Sequence, residues 1–459
     1  MADIDLNILN GKKHIHFIGI GGSGMFPLVQ ILHGQGYYIT GSDNNEGDTI
    51  EIERSMGIPV VIGQRAENIK GADLIVYTAA ILPDNEELVA AKNSGVPVIE
   101  RSRLLGVVTS WFDNCICVCG THGKTTTTSM ITQILLEAEM DPSAVIGGKL
   151  KAIGGNGRYG GSDLMVCEAC EFVDTFLQLY PDTAVILNID ADHLDYFKTL
   201  DNIIASFRKF AQLTSRTIIV NGDDANSMKA VEGINDKKII TFGTSSKNDY
   251  YAENIVQSVG VKSSFDLYCK GEKLGTVQLS VPGSHNVLNA VAACAAALEA
   301  GASFESVTAG LAEFRGAGRR FEILGEVGGV TIADDYAHHP AEVKVTLETA
   351  KKMGFKNVWA VHQPFTYSRT SMLLDDFAEA LSVADKVVMS EIMGSREVNT
   401  YNIYTKDLAE KIDGSVWFPE FGEIAEYVMK NAQPGDLVIT LGCGDIYKCA
   451  KMMLNFKEK

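Results

Sequence analysis

The sequence predicts an α/β protein of three domains. The chain has 459 residues, and domains of roughly 150 residues are usual. Short apolar runs alternate with helix-period stretches along its whole length, the pattern of parallel sheets flanked by helices. Several of those runs stop at glycine-rich or polar turns, and an open α/β sheet binds its ligands at such strand ends. Apolar residues make up 46% of the chain, which suits a globular core. No apolar run approaches the ~18 residues of a membrane helix. The start, Met1-Ala2-Asp3-Ile4-Asp5, is too polar and acidic for a signal peptide. A cytoplasmic protein without a membrane partner is expected. A formal charge of −18 argues against a nucleic-acid partner, while leaving room for a local cationic pocket.

Nine cysteines are too few and too scattered for a disulfide scaffold. Cys115, Cys117 and Cys119 alternate along one apolar run and are expected to face the core. Cys167-x-x-Cys170 has the spacing of half a zinc or redox motif. No second Cys or His pair stands at ligand spacing, so structural cysteines are expected there.

The first domain opens with a strand over residues 13–20, the turn Gly19-x-Gly21-Gly22-x-Gly24, and a helix to about His33. A second strand ends at Gly41-Ser42-Asp43, about twenty residues beyond the turn. This is a dinucleotide-type βαβ opening with its acidic residue in place. The motif suggests NAD by default, but nothing downstream supplies a hydride-transfer site, so another diphosphate is open. Strand-like runs at 59–62, 73–79 and 97–100 and a helix around 103–111 complete this domain.

The central domain begins near Cys115. Residues 115–119 read as a buried strand, and a helical pattern opens at Lys124 and continues through Met130, Ile131, Ile134 and Leu135. Between them stands Gly120-Thr121-His122-Gly123-Lys124-Thr125-Thr126. A strand, a glycine turn and a helix N-terminus make an anion site, because backbone N–H groups and the helix dipole point at one spot. Lys124 adds a point charge for a terminal phosphate, and Thr125 a hydroxyl where Mg²⁺ would bridge phosphates. The full Walker pattern has a further glycine where Val118 stands, so this is a shortened phosphate loop. A strand at 164–166 leads into Glu168 and Glu171, and one over 183–189 ends in Asn188…Asp192-His193-Leu194-Asp195. Three strand ends thus converge in principle on one magnesium–phosphate site. Glu168 and Thr125 suit Mg²⁺, which takes one or two carboxylates beside phosphate oxygens. His193 is a less typical ligand and could instead contact phosphate.

Strands at 217–220 and 238–242, a β-rich patch over 250–280 and a long Ala-rich helix follow. Asn286 and Asn289 fall on one face of that helix and could read a purine edge, or Asn286 could be a cap. The third domain starts near Gly316. Strands at 330–333, 358–361, 386–389 and 437–441 again end in polar clusters: Asp334-Asp335-Tyr336-Ala337-His338-His339-Pro340, then His362 to Thr370, then Gly442-Cys443-Gly444-Asp445. Tyr336, His338 and His339 read as substrate contacts.

Taken in order, the loop at 120–126, Asn188…Asp195, His285-Asn286…Asn289, Arg319-Arg320-Phe321-Glu322 and Asp334–Pro340 resemble the motifs of the Mur ligases of peptidoglycan synthesis. The resemblance covers essentially the whole chain and is closest to the member that adds the first amino acid. It implies a Rossmann-like N-terminal domain (1–111) holding a UDP-sugar and a P-loop ATPase-type central domain (112–314). A Rossmann-like C-terminal domain (315–459) would contact the amino acid and ATP. It implies L-alanine and UDP-N-acetylmuramate as substrates, ATP and Mg²⁺ as cofactors, and a monomer or homodimer. Gly22, Ser23, Gly24, Asp43 and Thr78 would then hold the UDP-sugar. Gly120 to Thr126, Asn289, Arg320 and Asp335 would contact ATP. Thr125, Glu168 and His193 would bind metal, and Tyr336, His338 and Arg369 would form the alanine pocket. Lys124, His193, His338 and Arg369 would be catalytic. Joints near 111–114 and 314–318 suggest closure on ligand binding.

The chain also departs from the family pattern. Relatives often read Gln-Pro-His-Arg-Tyr-Thr-Arg-Thr where this chain has Gln363-Pro364-Phe365-Thr366-Tyr367-Ser368-Arg369-Thr370. Cys170 stands where an acid is usual. A recycling ligase for a preformed tripeptide, a nicotinamide oxidoreductase and a non-catalytic relative that binds UDP-sugars are the rival readings; the second leaves Lys124, Glu168 and His193 unexplained, and the third should have lost Lys124 or the metal ligands, which are intact.

Overall fold

The computed structural model describes residues 5–257, 263–395 and 397–456. Its α/β chain builds three sheets. The first contains β1 (His14–Ile18), β2 (Tyr38–Asp43), β3 (Val60–Ile62), β4 (Leu74–Tyr77) and β5 (Val98–Glu100), in the order β3-β2-β1-β4-β5. All its pairings are parallel. The order reverses between β1 and β4, so a crevice opens beyond their C-terminal ends.

The second sheet has ten strands. They are β6 (Asn114–Cys119), β7 (Ser143–Leu150), β8 (Gly155–Arg158), β9 (Leu164–Glu168), β10 (Thr183–Ile186), β11 (Thr217–Asn221), β12 (Lys238–Gly243), β13 (Tyr250–Gln257), β14 (Ser263–Cys269) and β15 (Glu272–Leu279). Their order is β15-β14-β13-β12-β11-β10-β6-β9-β7-β8. The third holds β16 (Glu322–Val327), β17 (Val330–Asp335), β18 (Val358–His362), β19 (Lys386–Met389), β20 (Val416–Trp417) and β21 (Leu437–Leu441), in the order β16-β17-β21-β18-β19-β20. Within the expected β-rich patch, residues 258–262 lie outside the described residues.

The buried strands are apolar on both faces, as parallel sheets covered by helices require. Along β6, Cys115, Ile116, Cys117, Val118 and Cys119 are all at most 1% exposed, so the intervening residues are as buried as the cysteines. Cys167 is buried too, whereas Cys170 is exposed, so only half of that pair is core. The helix Lys124–Glu137 runs beside these strands although it opens with four threonines. Three of its buried hydroxyls turn back to the carbonyls one turn earlier: Thr128 to Lys124 O at 2.8 Å, Ser129 to Thr125 O at 2.7 Å and Thr132 to Thr128 O at 2.8 Å. That lets a polar sequence lie in an apolar interior.

Two strands are shorter than the apolar runs suggest. β1 stops at Ile18 because Gly19 and Ile20 both donate to Ser42 O, at 2.8 and 3.0 Å. β10 stops at Ile186 because Asn188 is drawn to the phosphate loop, as described below.

Packing divides the chain into two units. The first comprises Met1–Ile255, Ser264–Gln278 and His285–Phe314; the second comprises Val256–Ser263, Leu279–Ser284 and Arg315–Lys459. The first two sheets therefore share a unit. One apolar core runs from Ile15, Phe17 and Leu28 through Phe112 to Cys117, Phe176 and Phe207. Each such fully buried side chain contributes about 1.5–3 kcal/mol, which holds the first two domains together. The second unit has its own cores on the two faces of its sheet.

Candidate active site

The phosphate loop follows β6, and its helix begins at Lys124. Gly123 adopts φ 86°, and a Cβ added there would stand 2.4 Å from Asn289 Oδ1. Only glycine satisfies both conditions. Lys124 Nζ donates to Gly120 O at 2.6 Å, to Thr121 O at 3.1 Å and to Glu171 Oε1 at 3.0 Å. Glu171 is 2% exposed. Burial alone would pull the Lys124 pKa down, but Glu171, with Cys170 and Glu168 behind it, outweighs burial and lifts it above the ordinary lysine value. The lysine is therefore charged and already folded over the loop. Glu171 was not among the expected site residues; its one signal was an acid a turn beyond Glu168 at the same strand end.

Thr125 Oγ1 donates to Glu168 Oε1 at 3.0 Å, and Gly147 N donates to Glu168 Oε2 at 2.7 Å. A Cβ on Gly147 would fall 2.5 Å from Oε1 and 2.6 Å from Oε2, so bare backbone cradles this carboxylate. A hydroxyl and a carboxylate held this close form the hard-oxygen pair that Mg²⁺ takes beside phosphate oxygens. The residues present fit that ion. His193 caps the short helix Leu194–Phe197 with φ 53°, its ring centroid 4.7 Å from that of Phe172 and Nε2 3.8 Å from Asp192 Oδ2. The expected trio is thus assembled in part, Thr125 with Glu168. Among the described residues, no three His, Cys, Asp or Glu side chains form a metal cluster. The Asp195 side chain lies outside what is described.

Asn188 zips the loop after β10 to the phosphate loop. Its Oδ1 accepts from His122 N at 2.8 Å, its Nδ2 donates to His122 O at 3.0 Å, and its own carbonyl accepts from Thr121 N at 3.0 Å. Asp190 N donates to Thr121 Oγ1 at 2.9 Å, and Asp190 Oδ2 lies 3.6 Å from His122 Nε2. Asn289 donates to Asn286 Oδ1 at 3.1 Å; both stand inside the helix Ser284–Glu299, so Asn286 is no cap. With its oxygen against Gly123, Asn289 sits beside the loop itself. Thr126 occupies the first turn of the loop's helix.

At the first sheet, Gly22 N donates to Gly19 O at 3.2 Å, and Ser23 O accepts from Asn156 Nδ2 at 2.7 Å. Asp43 braces the turn: Oδ2 accepts from Gly21 N at 3.1 Å, and Oδ1 from Asn44 and Asn45 N at 2.8 and 3.2 Å. Thr78 follows β4 and packs on Gly19. A cation arrives that the sequence did not flag. A Cβ on Gly24 would meet Arg101 Cδ and Nε at 3.3 Å, and Arg101 opens the helix Arg101–Thr109 after β5.

In the second unit, polar clusters follow β17, β18 and β21. Asp335 is pinned by Phe321 N at 2.6 Å and Ala337 N at 2.7 Å. Burial lifts its carboxyl to about 6, against the pull of Arg320 and those two N–H groups. The Arg320 guanidinium lies 5.2 Å from the Tyr336 ring centroid. Arg319, outside the expected site residues, ties the cluster after β17 to the one after β21. It donates to Asp334 Oδ2 at 2.8 Å, to Gly444 O at 3.0 Å and to Gly442 O at 2.5 Å. It lies between the Tyr336 and Tyr447 rings, at 5.0 and 4.9 Å. His338 Nδ1 is 3.1 Å from Tyr336 O, so Nδ1 carries the proton and Nε2 is the acceptor. Burial pushes the His338 pKa down, with Glu342 opposing and Arg369 assisting.

Arg369 lies on the helix Tyr367–Met372, capped by Thr366 with φ 62°. Its buried Nη1 has no partner among the described residues. Thr366 thus supplies a cap where relatives carry arginine, and Phe365 forms a β-bridge with Met393. His362 stands three residues before Phe365, and its buried Nε2 has no partner among the described residues. It is fully buried in β18 with Nδ1 on Leu441 O at 3.1 Å and its ring against Phe377, and burial pushes its pKa down to about 4.

A lysine, hydroxyl and carboxylate at the end of a central parallel strand, with a second glycine loop on a Rossmann-like sheet, define a multidomain phosphate-loop protein. The chain belongs to the Mur ligase family. Residues 14–112 match the family's catalytic domain, 118–297 its middle domain and 319–444 its glutamate ligase domain. The UDP-N-acetylmuramate–L-alanine ligase of Caldanaerobacter subterraneus subsp. tengcongensis is 45% identical over 453 residues, 97% of this chain and 98% of that protein. The enzyme of the same name from Agathobacter rectalis is 47% identical over 448 residues, 96% of this chain and 97% of its own. Among solved structures, the UDP-N-acetylmuramate–alanine ligase of Thermotoga maritima superposes with a TM-score of 0.82 at 28% identity, covering 97% of this chain and 98% of that one. A murein peptide ligase from Psychrobacter arcticus shares the fold, with a TM-score of 0.74 at 24% identity over 96% of this chain and 98% of its own.

Proposed function

We propose that this protein is an ATP-dependent ligase. It joins L-alanine to the carboxylate of UDP-N-acetylmuramate and releases ADP and phosphate, in peptidoglycan precursor synthesis. Relatives of that name at 41–47% identity over nearly the full length support the reading. The observation that carries the chemistry is the convergence of Lys124, Thr125 and Glu168 on one loop. We assign residues 1–111 to the UDP-sugar, 112–314 to ATP and 315–459 to the amino acid.

A carboxylate does not accept an amine directly, because its oxygen leaves poorly. The muramate carboxylate oxygen attacks the γ-phosphorus of ATP, the bond to the β,γ-bridging oxygen breaks, and ADP departs. The alanine amine then adds to the acyl-phosphate carbon. The tetrahedral adduct expels phosphate, and the surplus amine proton passes to a base. Charge builds on the transferring oxygens, and Lys124 meets it by turning from Glu171 to the phosphates. Thr125 and Glu168 would hold Mg²⁺, which would supply further positive charge to those oxygens. His193 is assigned to the acyl-phosphate side. In the second unit, Nη1 of Arg369, without a partner among the described residues, suits the alanine carboxylate. His338, kept neutral by burial, presents Nε2 to accept the amine proton, and Tyr336 walls the pocket. Gly22, Ser23, Gly24, Thr78 and Arg101 are assigned to the UDP diphosphate, with Asp43 bracing their turn.

The test is phosphate release from Mg-ATP with UDP-N-acetylmuramate, adding L-alanine, glycine, L-serine or the tripeptide one at a time. Release that requires the UDP-sugar and is fastest with L-alanine is the expected result. A requirement for tripeptide would overturn the choice of acceptor, and no release with any of them would overturn the ligase.

A further inference from the structure

One hairpin in the first unit touches both halves of the chemistry. β7 and β8 form the edge of the ten-stranded sheet. β7 runs parallel to β9, with Val145 beside Cys167. Beyond that pair the β7–β8 register breaks, between Val145 and Leu150. In that break Gly147 turns its N–H onto Glu168 Oε2 at 2.7 Å. The other strand of the hairpin reaches the diphosphate loop. Asn156, 8% exposed, donates from Nδ2 to Ser23 O at 2.7 Å, and the helix Phe26–Gly34 that follows the loop packs on both strands.

Ser23 O and Gly24 N belong to one rigid peptide plane. Fixing the oxygen fixes the direction of the Gly24 N–H, one of the groups assigned to the diphosphate. At the other end, Glu168 divides its oxygens between Thr125 Oγ1 and Gly147 N. A shift of Gly147 therefore re-aims the carboxylate against Thr125. A further link, Lys149 to Asp48 at 3.9 Å, joins two exposed side chains and contributes little.

We propose that the β7–β8 hairpin couples occupancy of the diphosphate loop to the aim of the metal-binding carboxylate, with Asn156 and Gly147 as its positioning residues. The proposal rests on the assignments above for Gly22–Gly24 and Glu168. Such coupling is reciprocal. A UDP-sugar that orders the loop tightens Mg-nucleotide binding, and Mg-nucleotide tightens the UDP-sugar by the same factor. The ligase then assembles its metal site most firmly when the carboxylate to be phosphorylated is present.

The test is calorimetry on the full chain. UDP-N-acetylmuramate is titrated with and without Mg²⁺ and a non-hydrolysable ATP analogue, and the analogue with and without the UDP-sugar. In the unmodified protein each ligand should tighten the other by about 5-fold or more, the usual floor for site-to-site coupling. Asn156→Ala should bring that factor close to one, while the Mg-analogue alone binds as before. An undiminished factor in Asn156→Ala would overturn the proposal. A mutation-free readout accompanies it: amide exchange over residues 145–150 should slow when UDP-N-acetylmuramate is added alone, and unchanged exchange would also overturn it. If both ligands bind the unmodified protein without affecting each other, the coupling fails and the ligase reading stands. If UDP-N-acetylmuramate does not bind at all, the assignment of the loop fails and takes the coupling with it.

Discussion

The loops after β1 and β6 look alike in sequence and are built differently. Each follows a central parallel strand, turns on glycines and leads to a helix. The β6 loop carries its own cation, and its helix starts at once with Lys124. The β1 loop closes on itself, Gly22 N on Gly19 O and Met25 N on Gly22 O at 2.8 Å. Its helix begins only at Phe26, with a proline in the first turn, which removes one N–H from the anion site. Its cation is borrowed from Arg101, and its acid, Asp43, is committed to bracing the turn. A glycine pattern tells that an anion can sit there; the supply of charge tells what can be done with it. A guanidinium beside a closed turn suits a diphosphate that does not react. A lysine on a flexible stem, held by Glu171 until phosphate displaces it, can follow a phosphoryl group in transfer.

The largest test of this difference is Lys124→Ala. Turnover should fall by at least about 10³-fold, as read by phosphate release, while calorimetric affinity for the UDP-sugar stays within about twofold. Equal loss of both would erase the distinction between the loops. Arg101→Ala should do the converse, raising KM for the UDP-sugar by about tenfold, the scale of one charge-assisted hydrogen bond. ATP affinity should be unchanged, and a drop in it instead would place Arg101 with the wrong loop.

The smallest effect concerns the support of the β1 loop. Glu53, on the helix Asp48–Ser55, is fully buried, and neither oxygen has a partner among the described residues. Burial, and then the charge of Asp43, lift its carboxyl from 4.5 to about 8. The folded chain keeps a proton that the unfolded chain loses, so this residue costs stability progressively as pH rises from 4.5 to about 8. Glu53→Leu should raise the melting temperature by a few degrees at pH 8, about 2–4 °C per kcal/mol for a domain of this size, and by less at pH 5. The same shift at both pH values would mean that Glu53 does not titrate in the folded chain.

Much of this was legible in the residues, and the limits are physical. The α/β alternation and the two loops are local: apolar runs, glycines and helix starts lie within a few positions of each other. Thr125 and Glu168 were foreseeable because Thr125 follows the loop's lysine into the helix and Glu168 ends the neighbouring strand β9. Asn188 was visible only as a motif letter, since its value lies in bonding both the N–H and the carbonyl of His122, 66 residues away. Arg319 is legible only as a motif letter beside Arg320, because its side chain reaches Gly442 and Gly444 from a left-handed backbone, φ 59°, that no local pattern announces. Thr366 looked like the loss of an arginine and turns out to cap the helix that carries Arg369.

By itself the sequence determined the fold class and the family, and it singled out two glycine loops suited to anions, since each rests on order and spacing along one chain. The tertiary structure alone decided which groups meet: Glu171 on Lys124, Arg101 on Gly24, Gly147 on Glu168 and Asn156 on Ser23. Those pairings depend on strand order and on how a hairpin and a helix pack. A hydrogen bond needs its partners within about 3 Å, a condition that only a folded chain can meet between residues so far apart in sequence.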